Sequence, residues 1–344
     1  MRTPARAASL LPLLLLLTAP ASLLTAPSSL AAGTVARTDD GVLTQQVTLS
    51  WDGDRRRRVM QRSAVVPGIG TLTLVCRPDS TLVRLRPTDR TAETQLWMAK
   101  YESKDDRPVV SVKTARVYRF ATATDTGRGG TGPVTHEGLN QQATIEDWQS
   151  GYLHGVISQR PARNRAGASM AVPPTTSLEL TWWWTGFRHP RDWQSCRMDA
   201  TLRTDLSQRP QLTWHGDADA AGNDTRTIDL PGLGTMTLAC AADPTTTPSL
   251  ALAPGTEDSS LYVETISGEG LVDDHVDSDD LVRDPVTGLL GPVPLPENGM
   301  LRVFATVGGV ERAFTVSSYW VRNDAEHPEQ DLCEVAVAEV GAQA

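Results

Sequence analysis

One stretch of this chain is written twice, and a duplicated unit confines the fold more tightly than any single motif. Residues 47–54 read VTLSWDGD, 66–76 read VPGIGTLTLVC and 85–87 read LRP; residues 210–217 read PQLTWHGD, 230–240 read LPGLGTMTLAC and 252–254 read LAP. The copies are offset by 163 positions at the tryptophan and by 164 at the cysteine. The match runs on in the same order. Residues 94–101 (TQLWMAKY) answer to 259–266 (SSLYVETI), and 151–158 (GYLHGVIS) to 299–306 (GMLRVFAT). Each copy closes alike, with Trp184, His189, Pro190 and Cys196 in the first and Trp320, His327, Pro328 and Cys333 in the second. The boundary falls at 206–209, which makes residues 33–207 one unit and 208–344 the other; the first is longer through 102–150 and a 160–175 loop.

Alternation of apolar and polar side chains at a period of two marks half-buried strands. Val47, Leu49 and Trp51 share a face, as do Leu72, Leu74 and Cys76, and Cys196, Met198 and Ala200. The second copy repeats this with Leu212 and Trp214, with Met236, Leu238 and Cys240, and with Cys333, Val335 and Val337. Both cysteines of a copy therefore point inward, one from an early strand and one from a late strand. Helical periodicity is scarce; residues 143–149 suit a short helical turn. The expected class is all-β, with two tandem β-sandwiches of jelly-roll or immunoglobulin-like kind arising by internal duplication. Four cysteines allow three pairings, and the duplication selects Cys76 with Cys196 and Cys240 with Cys333, because each copy then closes itself.

Residues 1–32 carry Arg2 and Arg6, an apolar core over 10–17, and small residues around Ala19 to Ala21 and at Ala31 and Ala32, the order of a cleaved secretory signal peptide. That apolar run is far short of the roughly 20 residues that cross a bilayer, and no second long one follows, so the mature chain is expected outside the cell with no membrane span. Export makes disulfides chemically reasonable. Residues 33–207 hold 24 Lys and Arg against 18 Asp and Glu, whereas 208–344 hold 6 against 23. Opposite net charges predict an attraction between the halves that salt would weaken. The acidic total argues against a nucleic-acid partner, and the arginine run at 55–58 reads as a solvated loop. Basic residues are nearly all arginine, three of the 32 being lysine, as G+C-rich codons favour. With that composition, the W-x-G-D and P-G-x-G-T-x-T-x-x-C segments make the chain similar to secreted β-sandwich proteins of high-G+C Gram-positive bacteria, a likeness that transfers no activity. A cysteine-closed sandwich beside a tryptophan also resembles immunoglobulin domains, in architecture alone, since here the second cysteine stands at the end of its unit.

No motif assembles a catalytic or cofactor site in the sequence. Residues 127–132 satisfy G-x-G-x-x-G but lack the strand before and the helix after that dinucleotide binding needs. Glu146 and Asp147 are adjacent, so on a strand they face opposite ways. The acidic run with Asp273, Asp274, Asp277, Asp279 and Asp280 offers oxygen ligands of the kind calcium takes, without the glycine and terminal glutamate of an EF-hand; no other cofactor is expected. His189 and His327 hold equivalent places and read as turn residues. Aromatics are the better lead. If Trp184 and Trp320 fill the cores, alternation turns Trp183 and its counterpart Tyr319 outward, where a ring can stack on a sugar. The expected role is that of a secreted non-catalytic protein that binds a protein or carbohydrate ligand, at the cell surface or in the medium. The alternative is a carbohydrate-binding protein or secreted enzyme on a jelly-roll scaffold, using Trp183 and the insertions within 102–175.

Overall fold

The structure is a computed structural model, and it describes residues 34–38, 41–53, 60–77, 81–89, 92–104, 107–118, 136–138, 148–160, 172–186, 189–215, 224–240, 245–267, 275–321 and 331–340. Residues 1–32 (the expected signal peptide), the arginine run at 55–58, the glycine-rich 127–132, Glu146, Asp147, Asp273, Asp274, His327 and Pro328 lie outside these residues. None of the described helices is long and apolar enough to cross a membrane.

The described elements are almost wholly strands, and they fall into two halves. The first half contains β1 (Thr34–Arg37), β2 (Val42–Asp52), β3 (Met60–Val66), β4 (Gly70–Cys76), β5 (Thr81–Pro87), β6 (Glu93–Lys104), β7 (Arg107–Tyr118), β8 (His136–Gly138), β9 (Trp148–Arg160), β10 (Thr176–Thr185) and β11 (Ser195–Asp205). The second contains β12 (Gln211–His215), β13 (Thr225–Leu230), β14 (Gly234–Ala239), β15 (Ser249–Pro254), β16 (Ser259–Ser267), β17 (His275–Val282), β18 (Leu290–Pro294), β19 (Asn298–Val307), β20 (Val310–Val321) and β21 (Leu332–Val340). In the first half, a large sheet ordered β1-β2-β11-β10-β9-β6-β7 shares a core with a small sheet ordered β3-β4-β5-β8. In the second, β12-β21-β20-β19-β16-β17 shares a core with β13-β14-β15-β18. Apart from β1, the second order is the first with each strand replaced by its repeat partner. All the ladders are antiparallel.

Trp148 and Gln149 belong to β9 and not to a helical turn. They pair with Thr185 and Trp184 at the end of a ladder that runs the length of β10, and that pairing overrides the local helical preference.

The repeated segments are explained by the hairpins they build. In both copies a four-residue turn, Val66-Pro67-Gly68-Ile69 or Leu230-Pro231-Gly232-Leu233, closes with the last N–H donating to the first carbonyl. Proline suits the second place, and Gly68 (φ +71°) and Gly232 (φ +82°) supply the left-handed conformation needed at the third. The next glycine is there for close approach, joined in the second copy by a positive φ at Gly234 (+126°). A methyl on Gly70 would strike the Arg86 carbonyl, and one on Gly234 the Ala253 carbonyl, each on the neighbouring strand. The shared P-G-x-G-T is therefore a folding device.

Each half is closed by its own disulfide, Cys76–Cys196 with Cα atoms 5.8 Å apart and Cys240–Cys333 at 5.7 Å, bonds that suit an oxidising compartment. Around each bridge the same indoles gather. Cys196 stands in register between Trp51 and Trp184, and Cys333 between Trp214 and Trp320. Trp51, Trp184 and Trp214 are buried, and Trp320 packs partly buried against its core. The two closing indoles are satisfied alike, Trp184 Nε1 donating to the Arg77 carbonyl (3.1 Å) and Trp320 Nε1 to the Leu295 carbonyl (3.0 Å).

The bridges close loops of 120 and 93 residues, for which loop entropy gives about 4 to 5 kcal/mol each. Replacing Cys240 and Cys333 by alanine should lower the second half's stability by about that amount in a urea melt. Gly70→Ala and Gly234→Ala should each cost about 2 kcal/mol or more in the same melt, with little effect of Gly255→Ala, where an added methyl meets a single carbonyl at 3.8 Å.

Candidate functional site

Alternation on the large sheets decides which side chains remain for function. On β6, Leu96 and Met98 enter the first core, so Gln95, Trp97, Ala99 and Tyr101 point outward. On β9, Leu153 and Ile157 go in, and Tyr152, His154 and Val156 go out. The outward set does not meet solvent. Trp97, Ala99 and Val156 pack against Ile266, Met300, Ala336 and Ala338, which are the outward residues of β16, β19 and β21. The outer faces of the two large sheets thus cover each other, in a seam where Trp97 is 1% exposed and its ring lies 5.9 Å from that of Tyr319.

Polar contacts flank this apolar centre. Gln95 Nε2 donates to Glu334 Oε2, Gln211 Nε2 to the Gln159 carbonyl (3.2 Å), and Ser177 Oγ to the Glu339 carbonyl (2.8 Å). Among the described residues, two ion pairs cross the seam in opposite senses, Arg203 of the first half to Glu339 (3.1 Å) and Arg302 of the second to Glu179 (3.7 Å). Apolar residues form the centre of the contact, beside ion pairs of both senses.

A cluster of titratable groups lies in the same seam. His154 is fully buried, with Nε2 3.2 Å from the Tyr101 hydroxyl and its ring against those of Tyr101 and Tyr152. The Tyr152 hydroxyl donates to Glu179 Oε1 (2.8 Å), and the Arg302 guanidinium lies 5.6 Å from the centre of the Tyr152 ring and 5.3 Å from that of Phe304. Burial, with the Arg302 charge acting the same way, lowers the His154 pKa to about 3. Burial and then Glu264 raise the Tyr101 hydroxyl to about 12, and burial and then Glu179 push the Tyr152 hydroxyl up as well. Every one of these shifts keeps the group neutral, which suits side chains packed between sheets. No sequence signal marked His154, because its partners come from other strands and from the other half.

One stretch of the first half's outer face remains open. Thr48 and Ser50 of β2, Arg197 and Asp199 of β11, and Thr181 and Trp183 of β10 line it, with Trp183 43% exposed. β10 is bonded along its length to β9 and β11, so the Trp183 backbone is held between Ser150 and Arg197. Arg197 Nε donates to Asp199 Oδ2 (2.7 Å) and Thr48 Oγ1 to Oδ1 (2.8 Å). Burial works to raise the Asp199 carboxyl, and these two hydrogen bonds outweigh it and hold it below its ordinary range. Trp193, 65% exposed, sits in the turn between β10 and β11, its carbonyl accepting from Thr185 Oγ1 (2.8 Å). His189 of that turn lies with its ring 6.2 Å from Trp193.

The other expected site residues are dispersed. Tyr319 points out of its own sheet, as expected, but onto Trp97, and it shares no surface with Trp183. Asp277, Asp279 and Asp280 are exposed on β17, an edge strand, with Asp277 and Asp279 on one face and Asp280 on the other. Among the described residues, no group of three or more His, Cys, Asp or Glu side chains stands ready to hold a metal. Asp284 beyond them accepts from the Val286 and Thr287 N–H groups and the Thr287 hydroxyl in its own turn, which holds its pKa low.

No protein-family model matches the chain, and no curated protein or solved structure matches it.

Because the seam is apolar at its centre and its ion pairs are partly buried, where salt screens them little, the radius of gyration should stay the same between low and high salt. Trp97→Ala, which removes a side chain worth about 3 to 5 kcal/mol when buried, should enlarge it. Small-angle scattering on both proteins checks the two statements.

Proposed function

We propose that this chain is an exported, non-catalytic binding protein made of two duplicated β-sandwich units, residues 33–207 and 208–344, and that the open face around Trp183 holds its ligand. The observation behind this reading is Trp183 itself, a large ring 43% exposed on a strand bonded along both sides. A soluble fold ordinarily hides such a ring, and a rigid aromatic plane among hydroxyl and charged groups is suited to a sugar, whose apolar face stacks while its hydroxyls reach Thr48, Ser50, Arg197 or Asp199. A carbohydrate chain is accordingly the ligand class we favour. The two disulfides agree with export, and the matching strand order of the halves, β1 apart, agrees with duplication.

Duplication would ordinarily give two such sites. Here the counterpart ring, Tyr319, is spent on the seam against Trp97, so the reading assigns one ligand face to each chain. The clustered titratable groups at His154 are packed between the sheets, where a substrate has no entry, and this favours binding over catalysis.

Retention on a panel of insoluble polysaccharides tests the proposal. Trp183→Ala should reduce binding about tenfold or more, the worth of one stacked ring. Equal retention of wild type and variant on every polysaccharide bound would remove the sugar-stacking reading.

A further inference from the structure

We propose that the seam between the halves is an acid-operated latch: protonation of His154 parts the two large sheets while each half, closed by its own disulfide, stays folded. The inference is independent of which ligand Trp183 holds.

The seam has the construction such a device needs. It is a separate cluster of seven buried residues, whereas each half keeps its own larger core and its own bridge. The seam can therefore open as a sub-global event without unfolding either core. At its flank His154 is 0% exposed, and its Nδ1 has no hydrogen-bond partner among the described residues. A charge placed on this ring would have to be met by the groups already there.

None of those groups is disposed to meet it. From β6 comes the Tyr101 hydroxyl, already at Nε2. From β9 itself comes Tyr152, and from β10 Glu179, which stands beside His154 in register. The Glu179 carboxylate accepts from Tyr152 and pairs with Arg302, so its charge is committed. From β19 comes Arg302, a like charge that opposes protonation, and from β16 Glu264, whose field acts on Tyr101. β21 contributes Glu334, which Gln95 engages. Parting the sheets returns the imidazolium and Arg302 to water, and that is where the free energy of protonation is recovered.

The sign follows from the direction of the shift. Closed, His154 resists protonation until about pH 3; released, it takes the proton near its ordinary value of about 6.5. The closed seam therefore keeps its full stability above about pH 6.5 and loses roughly tenfold in its equilibrium for every pH unit below that.

Small-angle scattering on the full exported chain, at high ionic strength to screen repulsion among surface charges, tests the latch between about pH 7.5 and about pH 4. Wild type should expand reversibly on acidification while its far-ultraviolet β-sheet spectrum is unchanged. His154→Gln, which cannot titrate, should stay compact to a pH lower by roughly one unit or more. If the glutamine variant does not give the wild-type spectrum at neutral pH, His154→Phe, matched to the tyrosines around it, replaces it in the same titration. A wild type that stays compact down to pH 4, or a folded variant that expands at the wild-type pH, overturns the proposal.

Discussion

Strands β6, β9 and β21 carry apolar side chains at both parities, and such a strand is stable only when something dry lies on each of its faces. Leu96 and Met98 alternate with Trp97 and Ala99 on β6, and Val335 and Val337 alternate with Ala336 and Ala338 on β21. One parity fills the core of a half, and the other has no solution but the large sheet of the other half. That requirement makes the seam, and the seam settles what the remaining side chains can do. It turns Tyr319 onto Trp97, encloses His154 between the sheets, and leaves Trp183 beyond its cover.

Duplication and asymmetry meet at this point. Two units with the same strand order and the same tryptophan–cysteine–tryptophan register present outer faces of the same parity, yet the faces are used differently. Trp97 and Tyr319 come from non-equivalent strands, β6 of one half and β20 of the other. Trp183 and Tyr319 hold equivalent positions in β10 and β20, and only the first retains an exposed ring. The second half's equivalent position is packed internally, while the first half's ring stays at the surface.

Much of each half was legible in the sequence because its signals are local or repeated. Period-two alternation placed Leu49, Leu74, Met198 and Val335 inward, and the order of the repeat picked out both disulfides and put Trp184 in the core. The P-G-x-G-T hairpins were visible as motifs, although their reason, a left-handed turn followed by close approach to the Arg86 and Ala253 carbonyls, needed the backbone. The seam was less legible. Its signal was the continuous apolar runs at 96–99 and 335–338, where alternation lapses, and a reading that seeks one buried face per strand passes over them. His154 gave no signal at all, since Tyr101 is 53 residues away and Arg302 belongs to the other half. The helical turn expected over 143–149 failed at Trp148 and Gln149 for a related reason, a long-range ladder outweighing a local pattern.

Hydroxyl-radical footprinting of the intact chain, read residue by residue, bears most directly on the buried seam. Trp97 and Met300 should be as protected as the core residue Trp184, while Trp183 and Trp193 are readily oxidised. Oxidation of Trp97 and Met300 at the rate of Trp183 would contradict the account, because the outer faces of the two large sheets would then be open to water.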